Sequence, residues 1–306
     1  MADLVNEFSW SQTRSEKLKG CPRAYYWQYY GKWNGWRSDA PEEARRAYRL
    51  SKMTNLDLFA GSVVHEVAEN VLLGARSGRE TTPDAAREDA RRRLNEGWKQ
   101  SRERRYLTDP KSAVNLFEHY YQAPLGPQDV DRIREKVFRC VDNFFRSEAL
   151  SFLRGVTAEN WLAVESLGHF HVDGVKVYAK PDVAVRDAST GTIFLFDWKT
   201  GKESASNEVQ LAGYALYALE TYGARAGDVE TVLVYLKEGT IKSSTPDEAT
   251  LAAARDAIRA SVAEMRGLLA DVAKNVARKE DFAMTSDRRT CRSCFFRELC
   301  FPDGLL

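Results

Sequence analysis

An α/β fold is what this chain predicts, on three observations. Residues 161–170, 175–185 and 192–198 alternate or run apolar with the two-residue period of strands, and Val172-Asp173-Gly174 and Ser189-Thr190-Gly191 supply the turns between them. The stretches on either side carry apolar residues at the helical spacing of three and four. A strand at 231–236, with a partner at 240–244, follows a helix at 207–221, so the core order reads β-β-β-α-β.

Taken in order, residues 8–36 begin with a short helix entry, for which Ser9 or Ser11 is the cap, and continue from about Arg23 into an aromatic-rich helix that Gly31 ends. Residues 60–73 form a compact helix, with Val63, Val64, Val67 and Val71 as its apolar side. Residues 76–159 read as almost wholly helical, with breaks at Pro83, Pro110 and Pro124 to Pro127, and have the look of an insertion or cap. Within it Ala86, Ala90, Leu94 and Trp98 share one stripe, leaving Arg87, Arg91, Arg92, Arg93 and Lys99 on broader faces that suit phosphates. Glu88, Asp89, Glu96 and Glu103 are interleaved with them, as on an ordinary solvated helix, and that plainer reading is favoured. The last helix carries Ile258, Val262, Met265, Leu269, Val272 and Val276, a stripe of almost three heptads read as packing across the sheet in preference to a coiled coil.

The chain has 306 residues, enough for one large or two ordinary domains with a sizeable core. Its 45 Lys and Arg nearly cancel 44 Asp and Glu, so a polyanion must be held by a local basic patch and not by the overall field. No basic segment leads into an apolar run at the start, and no stretch approaches the roughly 18 apolar residues of a membrane span. The expectation is a soluble, cytoplasmic protein with no membrane partner. In that setting five cysteines are metal ligands or buried apolar residues before they are disulfides.

Chemistry concentrates in Asp197-Trp198-Lys199, at the end of the apolar run 192–196, and in Asp182 of Lys180-Pro181-Asp182. Strand alternation puts Asp197 and Lys199 on one side, about 6.5 Å apart at about 3.3 Å per residue. Carboxylates placed at the end of a core strand are best explained by a bound cation that offsets their burial and mutual repulsion. If the strands of Asp182 and Asp197 pair, both acids reach one Mg²⁺ or Mn²⁺, ions that prefer oxygen ligands. Such a metal lowers the pKa of bound water and stabilises charge on a phosphate, and Lys199 would neutralise developing charge or orient the attacking water. Taken alone, an Asp and a Lys two apart are often a plain surface ion pair.

The strings Val177-Tyr178-Ala179-Lys180-Pro181-Asp182 and Phe196-Asp197-Trp198-Lys199-Thr200-Gly201-Lys202, followed by Gln210 and Tyr214, resemble the PD-(D/E)XK nucleases of the RecB type. Gly61-Ser62-Val63-Val64-His65 resembles that family's Gly-x3-His helix, and the order of the four motifs matches. The resemblance implies a restriction-endonuclease-like core, a mixed central sheet flanked by helices, with a helical insertion. It implies catalytic roles for Asp182, Asp197, Lys199 and, from the first strand, Glu165 in support, with His65 joining Asp182 and Asp197 as a metal ligand or positioning the metal-bound phosphate. Gln210 and Tyr214 lie one helical turn apart on one face, where both can touch substrate; an exposed polar residue beside a core tyrosine is an equally good account of that pair by itself.

Among the cysteines, Cys140 lies on the helical stripe Ile133, Val137, Cys140, Phe144 and is assigned to packing. Cys21, Cys291, Cys294 and Cys300 remain, one against three, a grouping that suits four thiolates on an iron-sulfur cluster better than the close pairs of zinc sites. Here too the chain resembles RecB-type nucleases that carry a four-cysteine cluster (4Fe-4S), among them the AddB subunit and CRISPR-adaptation nucleases; the family's Cys-Pro-Arg and following aromatics stand here as Cys21-Pro22-Arg23-Ala24-Tyr25-Tyr26. Joining positions 21 and 291 closes a loop of about 270 residues, worth about 5 kcal/mol of unfolded-chain entropy, so a structural clasp comes before redox sensing. Tyr25, Tyr26, Trp27, Tyr29, Tyr30, Trp33 and Trp36 could stack single-stranded bases, but a dry shell around the cluster accounts for most of them.

The expectation is a single nuclease domain over 1–306, with a catalytic core at 60–75 and 160–245, an insertion at 76–159, and a terminal iron-sulfur clasp at 8–36 and 285–306. It would be a divalent-metal-dependent DNA nuclease, an exonuclease before an endonuclease, acting on single strands or DNA ends. Without a Gly-x4-Gly-Lys-Ser/Thr loop, any unwinding must come from a helicase or other DNA-processing partner. Two other classes stay open: a non-catalytic nucleic-acid-binding or scaffold subunit, and a structural zinc protein.

Overall fold

The computed structural model describes residues 4–204 and 206–304, so Leu305 and Leu306 of the expected clasp lie outside the described residues. Helix α1 (Gln12–Gly20) is capped by Ser11, whose hydroxyl accepts the Arg14 N–H. Pro22 opens α2 (Pro22–Tyr26), which runs into a π turn at Trp27–Gly31, and α3 (Glu42–Ser51) follows. Helix α4 (Leu56–Arg76) begins four residues before the expected start, because Asn55 supplies a cap by accepting the Leu58 N–H at 2.9 Å.

The stretch expected as an insertion forms α5 (Pro83–Arg102), α6 (Phe117–Tyr120), α7 (Pro127–Arg146) and α8 (Glu148–Arg154). Pro83 and Pro127 open helices, as suits a residue whose missing N–H would be unpaired there anyway. Helices α4, α5 and α7 pack on one another, and Gly97 of α5 permits the approach: a Cβ there would lie 2.2 Å from the Phe59 ring.

Three long strands were expected between 161 and 198, and five short ones form: β1 (Trp161–Val164), β2 (Gly168–Val172), β3 (Val175–Ala179), β4 (Val183–Arg186) and β5 (Ile193–Lys199). The first expected strand breaks at Glu165, which adopts φ +47°, and the second at Lys180-Pro181-Asp182, where proline has no ladder donor. Strands β2 and β3 leave as a separate antiparallel hairpin. Helix α9 (Ser206–Tyr222), β6 (Val229–Tyr235) and β7 (Thr240–Ser244) follow as expected. The main sheet has the order β1-β4-β5-β6-β7, with β5 and β6 parallel and the other pairs antiparallel, so it is mixed.

Strand alternation divides the core between two layers. Ile193 and Leu195 of β5, with Ala184, Leu233 and Tyr235, face α9, the β2–β3 hairpin and the helix α10 (Glu248–Gly267). Phe196 and Trp198, with Val183, Val185, Val232 and Val234, face α4, α5, α7 and α8. The apolar stripe expected to run to Val276 stops short: α10 ends at Gly267, and Val272 and Val276 are exposed around a turn in which Asn275 takes φ +51°. Helices α11 (Arg288–Arg292) and α12 (Arg297–Cys300) close the chain against Ala24, Trp27, Leu50 and Phe296, a third apolar cluster. Trp10 ties the N-terminal segment down through its indole N–H to Ser261, which bonds Ser15 in turn. Among the described residues no helix is long and apolar enough to cross a membrane.

Candidate active site

The antiparallel register brings three chain positions to one end of the sheet. Val183 pairs with Phe196, so Asp182 and Asp197 stand side by side where β4 begins and β5 ends, and Glu165 follows β1 at the same end, its N–H donating to the Asp182 carbonyl at 2.8 Å. The left-handed backbone at Glu165, a conformation that costs a residue with a Cβ about 1–3 kcal/mol, turns its carboxylate back toward Asp182. The pairing of the two aspartate strands expected from the sequence is therefore present.

Helix α4 approaches from the Trp198 face. Gly61 makes the approach possible, since even a Cβ there would lie 3.1 Å from Thr200 Oγ1, and one turn later His65 meets the acids. His65 Nδ1 lies 3.1 Å from Asp182 Oδ1 and 3.4 Å from Glu165 Oε1. These three side chains are the only group of three His, Cys, Asp or Glu ligands among the described residues whose donor atoms all lie within 4.8 Å of one another. Asp182 Oδ2 accepts the Trp198 backbone N–H at 2.5 Å.

Asp197 and Lys199 project to the opposite face, with the parity of Ile193 and Leu195, and meet α9. Lys199 Nζ is 2.6 Å from Asp197 Oδ2 and donates to Gln210 Oε1 at 2.6 Å. Gln210 Nε2 donates to the Tyr214 hydroxyl at 2.7 Å, and that hydroxyl shares its one proton between Asp197 Oδ1 at 3.0 Å and the Lys180 carbonyl at 2.9 Å. Gln210 and Tyr214, one turn apart, thus engage the Asp197–Lys199 pair while also lining a cleft of about 340 Å³ with Lys180 and Trp10. The acids and His65 line a second cleft, of about 520 Å³, with Gly61, Lys180 and Thr200.

The electrostatics follow from burial and opposite charge. Burial pushes Asp182 up to about 6 despite His65 beside it. Burial opposes the His65 charge, but Asp182 and Glu165 together outweigh it and raise His65 to about 10. Burial would raise Glu165 too; the nearness of His65 and of Lys180, whose Nζ is 2.5 Å away, holds it down at about 2. Among the described residues two buried oxygens make no hydrogen bond, though each faces a basic group: Glu165 Oε1 at 3.4 Å from His65 Nδ1 and Asp197 Oδ2 at 2.6 Å from Lys199 Nζ. Carboxylate oxygens left without a hydrogen bond at the mouth of a sheet, with hard oxygen donors from the acids there, fit a divalent cation.

The sequence reading overlooked the parts played by Lys180, which holds Glu165 through its ammonium and Tyr214 through its carbonyl, and by the Trp198 N–H, which fixes Asp182. Lys180 stands beside Pro181-Asp182, and that adjacency is the one signal available. The ligand grouping also differs in emphasis from the expected one: Glu165 joins His65 and Asp182, and Asp197 lies outside that set, held by Lys199 and Tyr214.

The four remaining cysteines line one small cleft between α2 and the last two helices, together with Ala24, Met284 and Phe301. Burial raises the Cys294 thiol to about 11, and raises Cys291 and Cys300 as well. Cys140 is fully buried on α7, the packing role expected of it. The aromatic helix is mostly interior, with Tyr25, Trp27 and Tyr30 buried and Trp36 exposed. On α5 four arginines are paired, Arg87 with Asp142, Arg91 with Glu88, Arg92 with Asp89 and Arg93 with Glu66 and Asp89, as on a solvated helix.

No curated protein matches the chain. A solved structure titled "Crystal structure of SSO0001" is similar at 17% identity, over 62% of this chain and 80% of that one, with a TM-score of 0.28. The family model described as the PD-(D/E)XK nuclease superfamily matches residues 9–301. With that match running over nearly its whole length and the mixed sheet that carries the acids, this chain belongs to the PD-(D/E)XK nuclease superfamily.

Proposed function

We propose that the chain is a divalent-metal-dependent DNA nuclease that hydrolyses phosphodiester bonds in single strands or at DNA ends, as an exonuclease before an endonuclease. The observation that carries this reading is the meeting of Asp182, Glu165 and His65 with the Asp197–Lys199 pair at one end of the sheet. Asp182, Asp197, Glu165 and His65 are the residues that would hold Mg²⁺ or Mn²⁺; when bound, the ion lowers the pKa of water and stabilises charge on the phosphate. Lys199 contributes a cation beside Asp197, poised to orient water or neutralise developing charge, and Gln210 with Tyr214 fixes its direction. Lys180 keeps Glu165 ionised. In this reading the intact chain Lys199–Gln210–Tyr214–Asp197 argues against a vestigial site.

Cys21, Cys291, Cys294 and Cys300 would hold a 4Fe-4S cluster as a clasp between the chain ends. In support, all four line one cleft backed by Ala24, Trp27 and Phe296. A helicase or other DNA-processing protein would supply any unwinding.

The test is digestion of end-labelled linear and circular single-stranded DNA with Mn²⁺, using Lys199→Ala as control. The reading expects the linear strand degraded and the circle spared by wild type, and neither touched by the variant. Persistence of both substrates, or equal cleavage by Lys199→Ala, overturns it.

A further inference from the structure

A third cavity, of about 540 Å³, lies in the helical layer and belongs to neither cleft of the acid site. It is lined by Trp98, Arg102 and Arg104 from the end of α5 and just beyond, by Glu118 and His119 of α6, and by Leu125 from the loop before α7. Its volume falls in the range of pockets that enclose a small molecule.

Its chemistry is that of an anion joined to a flat ring. Among the described residues neither Arg102 nor Arg104 forms an ion pair, whereas the neighbouring Arg105 is bound to Glu96 and Glu103. Ser101 Oγ accepts the Leu116 N–H at 2.9 Å and lies 2.9 Å from His119 Nδ1. The other ring nitrogen, His119 Nε2, is buried with no hydrogen-bond partner among the described residues. Trp98 stands edge-on to His119, ring centroids 4.5 Å apart, with its indole only partly buried. The one carboxylate in the lining, Glu118, is engaged by the Leu56 N–H at the start of α4. Two free guanidiniums attract phosphate, and an indole beside them offers a stacking face to a base.

We infer that this cavity binds a nucleoside monophosphate, with Arg102 and Arg104 at the phosphate and Trp98 at the base, supplied either as the terminal nucleotide of a DNA strand or as free mononucleotide. The choice of a nucleotide rests on the nuclease reading. The placement supports it: Glu118 accepts the Leu56 N–H, and the next residue, Asp57, lines the acid cleft, so the two cavities flank the first turn of α4.

Calorimetric titration with dAMP, deoxyadenosine and inorganic phosphate, in buffer containing chelator, tests the inference without any catalytic step. Wild type and Lys199→Ala should bind dAMP alike, and the exposed pair Arg102→Ala/Arg104→Ala should bind it at least 10-fold more weakly while melting at the wild-type temperature. Competition by a 5′-phosphorylated but not an unphosphorylated oligonucleotide identifies the strand end as the source; dAMP binding without competition identifies the free mononucleotide. Absent dAMP binding, undiminished binding by the double variant, or inorganic phosphate binding as tightly as dAMP overturns the inference. Because catalysis is silenced throughout, a chain that cleaves nothing yet binds dAMP through these arginines would sink the nuclease reading alone.

Discussion

Asp182 Oδ2 accepts the backbone N–H of Trp198 at 2.5 Å, so the acid that opens β4 is fixed by the peptide lying between Asp197 and Lys199. One hydrogen bond thereby sets the relative position of both aspartates, leaving Asp182 Oδ1 directed at His65.

This geometry predicts that Asp182 is costly to the metal-free protein. Burial raises its folded pKa to about 6 from 3.8, so the folded chain takes up the proton first; stability from this group is greatest below pH 4 and is lost as pH rises through 6. In Asp182→Asn the amide oxygen can still accept from Trp198 and the charge is gone. Chemical denaturation at pH 7 in chelator should find the variant at least as stable as wild type, and a loss of about 2 kcal/mol or more would contradict the burial argument.

His65 predicts the pH dependence of metal uptake. Buried, yet raised to about 10 by Asp182 and Glu165, it is protonated at pH 7 in the free protein and must be neutral to ligate. Metal affinity should therefore rise with pH, by up to tenfold per unit, until about 10. Mn²⁺ titrations in two buffers of different ionisation enthalpy should report about one proton released at pH 7, and release of none would contradict the raised His65. The same raised pKa means that the stability His65 adds without metal is complete below 6.5 and is lost as pH rises through 10.

Tyr214→Phe removes the hydrogen bond from Tyr214 to the buried Asp197 Oδ1 and the partner of Gln210 Nε2. Loss of this support should lower cleavage by about 10–100-fold, as is typical of groups that orient ligands. It should cost about 1–2 kcal/mol of stability in urea. An unchanged rate would show that the bond is idle.

Cys21→Ala should yield colourless protein with a markedly lower melting temperature, since Cys21 is the N-terminal member of the four-thiol cleft. Cys140→Ala, at a packing site on α7, should keep the colour and lose about 1–2 kcal/mol. Visible absorbance after anaerobic purification distinguishes them; a coloured, equally stable Cys21→Ala removes that residue from the clasp.

Much of the site was legible because it depends on period. Strand alternation alone puts Asp197 and Lys199 on one face, and helical spacing puts Gln210 one turn from Tyr214, so their meeting needed only the packing of α9 on β5. What depends on single backbone excursions was not legible. Glu165 is no glycine, and nothing in its neighbours announces φ +47°, the turn that splits an expected strand and brings its carboxylate to His65. The apolar stripe likewise stops with α10 at Gly267, although its heptad spacing continues to Val276. The cavity at Trp98 was hidden for another reason: it forms where the loop before α7 returns to the end of α5, a tertiary closure with no local period.

The central claim is that Asp182, Asp197, Glu165 and His65 capture a divalent cation, and calorimetric titration of Mn²⁺ into wild type and Asp182→Asn tests it most directly. Saturable binding by wild type, weakened at least tenfold in Asp182→Asn, is the predicted result. Identical isotherms for the two proteins, or no binding by wild type, would contradict it.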